Sequence, residues 1–83
     1  MHIRLRYFAS LREALGAEEA LAVAPGTTVA TLRDALIARG GVHAELLARS
    51  RAVRCAVDRQ MADETVALAE GAEVAFFPPV TGG

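Results

Sequence analysis

The chain offers one segment of clear helical periodicity among several short segments of alternating apolar and polar residues, and this imbalance limits what it can fold into. Val29, Leu32 and Leu36 recur at helical spacing, and Thr27 or Thr28 can cap the helix that they predict. The 83 residues suffice for one compact core, so we expect a single domain over residues 1–83. With so little chain, the main helix must cover one face of a sheet and leave the other face open to solvent.

Alternation predicts the strands of that sheet. Ile3, Leu5 and Tyr7 share the inward face of a first strand over residues 2–8, and Phe8 falls on its outward face. A capping-box spacing that starts at Ser10 predicts a short helix that ends at Gly16. The other predicted elements are strands at 19–23, 53–57, 66–68 and 73–77, a short helix at 43–49, and a stop for the main helix at Gly40-Gly41.

The composition argues against several classes of function. All nine basic residues are arginine, ten residues are acidic and the net charge is −1, which does not favour a nucleic-acid binder. No run approaches the roughly 20 apolar residues that a membrane span needs. A single cysteine forms no internal disulfide and no thiolate zinc site, and His2 and His43 lack metal-ligand spacing, so we predict no bound metal. We expect a cytoplasmic protein, because reducing compartments are where disulfide-free chains are found.

No familiar catalytic pattern occurs in the sequence. Cys55 falls between Val53 and Val57 on the inward face of its strand, where a cysteine usually acts as an inert apolar side chain. Asp63 and Glu64 form a carboxylate pair in a loop, and we interpret them as solvated. We therefore expect any chemistry of this chain to depend on partners and not on a catalytic side chain of its own.

The end of the sequence is its most unusual feature. Pro78 and Pro79 stop strand pairing because neither has an N–H to donate, and the chain then runs to Gly82 and Gly83. The six residues 78–83 can reach roughly 20 Å at about 3.3–3.6 Å each. We predict an extended, flexible C-terminal tail that enters a narrow channel and presents the carboxyl group of Gly83 to another protein.

An apolar patch is predicted beside this tail. The alternation puts Phe8 and Phe77 on the outward faces of the first and last strands. Two exposed aromatic residues on neighbouring strands form an apolar patch, which is typical of a surface that binds a protein. We expect Arg12 at the rim of the patch, and Met61, in the loop after the third strand, within it.

The two ends of the chain resemble the MoaD/ThiS family of sulfur carriers, and within it the small subunits of molybdopterin synthase. The resemblance depends on Tyr7-Phe8-Ala9 followed by Leu11-Arg12-Glu13, and on the ending Glu73-Val74-Ala75-Phe76-Phe77-Pro78-Pro79-Val80-Thr81-Gly82-Gly83. The spacing between the two motifs also fits, so the resemblance covers the whole chain. The family often has Asn where this chain has Asp58. Position 58 lies in a turn, so the difference has little bearing on function.

The resemblance implies a ubiquitin-like β-grasp fold, an α+β arrangement with a mixed sheet packed on one main helix. It implies that an ATP-dependent activating enzyme adenylates Gly83, which is then converted to a thiocarboxylate. The tail would then enter the large subunit of molybdopterin synthase and donate sulfur to cyclic pyranopterin monophosphate, in molybdenum cofactor biosynthesis. This chain itself would bind no cofactor, because ATP and the pterin are held by its partners. The tail residues implied to contact partners are Pro78, Pro79, Val80 and Thr81, and Gly82 belongs with Gly83 to the reacting end.

Three other functions remain open at this point. A ThiS-like carrier would deliver sulfur to another pathway, although such proteins typically lack the Phe-Phe-Pro-Pro approach to the final glycines. A ubiquitin-like modifier would join its carboxyl group to amines of other proteins, and the absence of lysine prevents chains built on its own side chains. A plain interaction module would carry the tail incidentally.

Overall fold

One mixed sheet of five strands organises the protein, as seen in a computed structural model that describes residues 1–79. The order across the sheet is β2-β1-β5-β3-β4. Strands β1 and β5 run parallel, and the other neighbouring pairs are antiparallel. The strands are β1 (His2–Tyr7), β2 (Glu18–Ala22), β3 (Arg54–Val57), β4 (Gln60–Ala62) and β5 (Glu73–Phe77), and the helices are α1 (Ala9–Leu15), α2 (Val29–Ile37) and α3 (Gly41–Leu46).

The core lies between one face of the sheet, here called the inner face, and the helices. Tyr7 and Phe76 are its largest side chains, and they come from the neighbouring strands β1 and β5. The Tyr7 hydroxyl has no hydrogen-bond partner among residues 1–79, and burial raises the pKa of Tyr7 to about 12, so the side chain stays neutral. The other fully buried large side chains are Ile3, Leu5, Leu11, Val29, Leu32, Leu36, Leu47 and Val74.

Helix α2 begins at the predicted cap. The Thr28 hydroxyl accepts a hydrogen bond from the Thr31 N–H at 3.2 Å, and the Thr31 hydroxyl accepts one from the Thr28 N–H at 2.9 Å. This reciprocal pair satisfies two N–H groups that a helix start otherwise leaves free. The helix ends at Ile37, shortly before the predicted stop at Gly40-Gly41. In the turn that follows, Gly40 donates its N–H to the Ile37 carbonyl, and Gly40 is also the N-cap of α3.

The start of helix α1 differs from the prediction. The capping box proposed at Ser10 is wrong, since Ser10 lies inside the helix and Phe8 occupies the N-cap without a side-chain hydrogen bond. The Phe8 carbonyl instead accepts the N–H groups of Leu11 and Arg12, at 3.1 and 3.3 Å. The predicted end at Gly16 is confirmed, with φ at 97°, a conformation that glycine adopts without steric cost.

The short strand of the sheet lies earlier in the chain than predicted. Residues 66–68 make only a single bridge, between Thr28 and Ala67, and the strand is β4 at Gln60–Ala62. Asp58 and Arg59 connect β3 to β4 with φ values of 49° and 70°, as a two-residue hairpin requires. The Asp58 carboxylate stabilises this turn by accepting the Glu73 N–H at 3.0 Å. Within residues 1–79, no helix has the length and apolar character to cross a membrane.

Candidate docking surface

A stacked aromatic pair marks the sheet face opposite the core, here called the outer face. The parallel register of β1 and β5 sets Tyr7 opposite Phe76, so the next residues, Phe8 and Phe77, also meet. Their ring centroids are 4.8 Å apart and the ring planes differ by 12°. The sequence had predicted that both residues are exposed, whereas the structure shows them half-buried, because each ring covers part of the other.

Small side chains beside the aromatic pair leave a groove. Ala56 of β3 and Ala75 of β5 are paired and buried, and Met61 lies opposite Ala56 with 58% of its surface exposed. Met61 is therefore on strand β4 and not in a loop, although it does border the predicted patch. The groove has a volume of about 320 Å³ and is called the outer groove below; its lining residues are Arg6, Phe8, Ala56, Arg59, Met61, Glu73, Ala75 and Phe77.

Arg6 is the arginine that contacts the aromatic pair. Its guanidinium carbon lies 5.2 Å from the centroid of the Phe8 ring, within the range of a cation–π interaction. Arg6 Nη1 also donates to Glu73 Oε1 at 3.2 Å, which fixes the guanidinium over the ring. Sequence reasoning did not select Arg6, even though the alternation of β1 had put it on the same face as Phe8.

Arg12 occupies a different position from Arg6. It is exposed on α1, one helical turn after Phe8, and its side chain does not line the outer groove. Its link to the patch within residues 1–79 is the backbone hydrogen bond to the Phe8 carbonyl. A contact of Arg12 with a partner stays a prediction.

The chain leaves the sheet beside the aromatic pair. Pro78 and Pro79 follow β5 directly and are half-buried. A smaller groove of about 270 Å³ is lined by Arg54, Met61, Phe77 and Pro78, and it lies where the chain exits. The other predicted tail residues, Val80, Thr81, Gly82 and Gly83, lie outside the described residues.

Cys55 lies on the inner face, as predicted. Its side chain is 4% exposed, its strand neighbour on β5 is Phe76, and its thiol donates to the Ala62 carbonyl at 3.1 Å. Burial raises the pKa of the Cys55 thiol, and the nearby carboxylates of Glu64 and Asp63 raise it further. Little thiolate therefore forms at neutral pH, and the sheet separates the sulfur from Phe8 and Phe77.

A buried arginine joins the helices to the loops on the core side, and sequence reasoning missed it. Arg33 of α2 is 3% exposed and donates to the carbonyls of Leu47 at 2.8 Å, Ala48 at 2.7 Å and Arg51 at 3.0 Å. Its fourth partner is Glu64, at 2.7 Å. The spacing of positions 29, 32, 33 and 36 already put Arg33 on the buried stripe of α2.

Glu64 is thus not a solvated carboxylate, and that interpretation of the sequence is wrong. Besides Arg33, it accepts a hydrogen bond from Arg49. Partial burial acts to raise the pKa of Glu64, but the two guanidinium groups outweigh this effect and hold the pKa below its usual range. Asp63, the neighbouring carboxylate, accepts the N–H of Thr65 at 2.9 Å and shapes the loop.

Comparison with known proteins agrees with the fold. The model of the ThiS family matches residues 5–83. The chain is 36% identical over 81 residues to the molybdopterin synthase sulfur carrier subunit of Escherichia coli (strain K12). The aligned residues cover 98% of this chain and 99% of that protein.

Two solved structures extend the comparison. The H. volcanii small archaeal modifier protein 1 has 30% identity over 95% of this chain and 98% of its own, with a TM-score of 0.68. A putative molybdopterin converting factor, subunit 1, from Pyrococcus furiosus has 25% identity over 96% and 99% of the two chains, with a TM-score of 0.78. These likenesses confirm the predicted ubiquitin-like β-grasp fold.

Proposed function

Because this chain belongs to the ThiS family, we propose that it is the sulfur-carrier subunit of a molybdopterin synthase. The observation that carries the proposal is the 36% identity to a molybdopterin synthase sulfur carrier subunit over nearly the whole length of both proteins. The geometry supports it, because the stacked Phe8–Phe77 pair lies at the point where the chain leaves the sheet, and we propose it as the docking surface. A protein that works by presenting its end needs such a surface beside that end.

The proposed chemistry takes place at the carboxyl group of Gly83. A terminal carboxyl group has a pKa near ~3.5, so it is an anion at neutral pH and resists attack by a nucleophile. An ATP-dependent activating enzyme transfers AMP from ATP to this carboxyl group, with release of pyrophosphate. A sulfur nucleophile then displaces the AMP and leaves a thiocarboxylate. Gly82 and Gly83 carry no side chains, which suits a narrow channel.

The proposed partner for sulfur donation is the large subunit of molybdopterin synthase. Phe8, Phe77 and Met61 dock on it, with Arg12 at the rim of the interface. The proline-stiffened tail then carries the thiocarboxylate to cyclic pyranopterin monophosphate held by the large subunit. The tail residues proposed to contact the partners are Pro78, Pro79, Val80 and Thr81, and Gly82 forms the reacting end together with Gly83.

Mass spectrometry followed by a transfer assay tests this proposal. The intact chain is purified from its own cells under conditions of molybdenum cofactor synthesis, and we expect sulfur in place of one oxygen of the Gly83 carboxyl group. This form, mixed with the large subunit and the pterin, is expected to give a sulfur-containing pterin in a single turnover. The all-oxygen chain serves as the matched control and is expected to give none. A terminus that never carries sulfur would contradict the proposal.

A second candidate function is protein modification, favoured by the similarity to the H. volcanii small archaeal modifier protein 1. In that case, Gly83 would be found in amide linkage to amines of other proteins in the same cells. Peptide mapping of the cell extract separates the two functions, because a carrier leaves no such linkage. A ThiS-like carrier for another pathway would show the thiocarboxylate and yet fail to convert the pterin.

A further inference from the structure

Arginines dominate the charge around the aromatic pair. The outer groove and the groove at the tail exit meet at Phe77 and Met61, and together they contain three arginines and one glutamate. This surface is therefore positive, whereas the chain as a whole has a net charge of −1. The charged residues concerned are Arg6, Arg54, Arg59 and Glu73.

The carboxylates near these arginines do not neutralise this surface, although Glu18 also lies 3.9 Å from Arg6. Glu73 lies 3.2 Å from Arg6 and 3.9 Å from Arg59, so it is shared between two guanidinium groups. Arg59 keeps 89% of its side chain exposed. Arg54 is the strand neighbour of Phe77, and no carboxylate of residues 1–79 forms an ion pair with it. Positive charge therefore remains at Arg59 in the outer groove and at Arg54 in the adjoining groove at the tail exit.

Building on the proposed function, we propose that the protein that receives the tail covers the outer groove with an apolar side chain flanked by carboxylates, which pair with Arg54 and Arg59. The floor of Ala56 and Ala75 leaves room for one apolar group between Phe77 and Met61. A guanidinium group binds a carboxylate with two parallel hydrogen bonds, so the arginines fix the orientation of the partner as well as attract it.

Charge also argues against the two other occupants of such a surface. A second copy of the chain would bind through a two-fold axis, which brings the same positive patch of each copy together and so places arginines of one copy near those of the other. Such like-charge contacts cost energy and disfavour a dimer. A nucleic acid would need a long run of phosphate contacts, whereas the surface offers few arginines on a chain of net charge −1.

The test measures how fast charge-reversal variants of the thiocarboxylated chain bind the large subunit of molybdopterin synthase, at low and at high salt. Arg54→Glu and Arg59→Glu are each compared with Arg51→Glu, which makes the same charge change at an exposed residue whose backbone contacts Arg33 on the helix side. At low salt, we expect both groove variants to associate roughly tenfold more slowly than the wild type, and the control to stay within about twofold. The difference should shrink at high salt, which screens the charges.

Other outcomes overturn the inference. Equal association rates for the groove variants and the control at low salt would show that Arg54 and Arg59 do not pair with carboxylates of the partner. Self-association of the wild type that Arg54→Glu abolishes would show that the occupant is a second copy, and binding of single-stranded DNA that the variants lose would assign the face to nucleic acid. In each of these cases, pterin conversion by the wild type at saturating concentration would leave the proposed function standing. Failure of the wild type to bind the large subunit at any salt concentration would overturn both.

Discussion

The two faces of the sheet use the same strands in opposite ways. Phe76 and Phe77 are adjacent in β5, yet Phe76 is fully buried in the core, whereas Phe77 is half-buried against Phe8. On the inner face, large side chains meet the helices and exclude water. On the outer face, small alanines lie beside two stacked rings and several arginines, which leaves apolar surface available for a partner. The inner face therefore accounts for stability, and the outer face is the candidate for recognition.

The sharpest test of this division is the tail, which we expect to matter for function and not for folding. Deletion of Gly83, or addition of one residue after it, should abolish sulfur transfer, because the proposed chemistry uses the terminal carboxyl group and the proposed channel would fit one length of tail. Single-turnover pterin conversion measures the loss, and the thermal melting curve should match that of the wild type. Conversion by an extended chain that has not been trimmed would contradict the prediction.

The adjacent phenylalanines provide a matched pair of variants. Phe76→Ala should lower the free energy of unfolding by about 3–5 kcal/mol, because it opens a cavity in the core. Phe77→Ala should lower it much less and instead weaken binding to the large subunit by ~2 kcal/mol or more. Urea unfolding and calorimetric titration measure the two effects. Equal losses of stability would show that the outer face is part of the core, and unchanged affinity would remove Phe77 from the interface.

Acid should weaken the core side of the molecule through Glu64. Because the folded-state pKa of Glu64 lies below its ordinary value of 4.5, its ion pairs stabilise the fold above that value, and this stabilisation is lost as the pH falls through the folded pKa. Glu64→Gln should lower the free energy of unfolding at pH 7 by roughly 1.5–3 kcal/mol. The free energy of unfolding of this variant should also fall less steeply as the pH decreases. Glu45→Gln, an exposed change on α3, is the control and should have no effect on unfolding. An unaltered acid profile for Glu64→Gln would assign the acid sensitivity to other groups.

The smallest effect is expected at Cys55, on the inner face. Cys55→Ala should retain sulfur transfer and lower the free energy of unfolding by roughly 1 kcal/mol, as expected for a small deletion in a core. Single-turnover pterin conversion by the thiocarboxylated variant measures the first effect, and urea unfolding measures the second. A large loss of conversion in a folded variant would show that the thiol takes part in the transfer.

Local patterns in the sequence predicted the parts of the fold that local forces determine. The alternation of Ile3, Leu5 and Tyr7 gave the inward face of β1, and Thr28 marked the start of α2, because each depends on neighbours within a few residues. The strand β4 was misplaced because three residues are too few to show alternation. Its turn is stabilised by Asp58, which contacts Glu73 fifteen residues later.

The candidate site could be predicted only in part for the same reason. The outward positions of Phe8 and Phe77 followed from alternation, but their stacking depends on the parallel pairing of the first and last strands. Helical spacing alone marks Arg33 as buried, but its hydrogen-bond partners are carbonyls up to 18 residues away, which no local pattern reveals. Contacts between distant segments therefore account for most of what the sequence left out.

The central place of β5 has a consequence for how the protein is made. β5 separates the β2-β1 hairpin from the β3-β4 hairpin, and it is the last of the five strands to leave the ribosome. Before residues 73–77 emerge, the two hairpins have no strand in common, and neither the core nor the Phe8–Phe77 pair can form. Any partner that recognises the outer face therefore engages only chains that have been synthesised through their last strand.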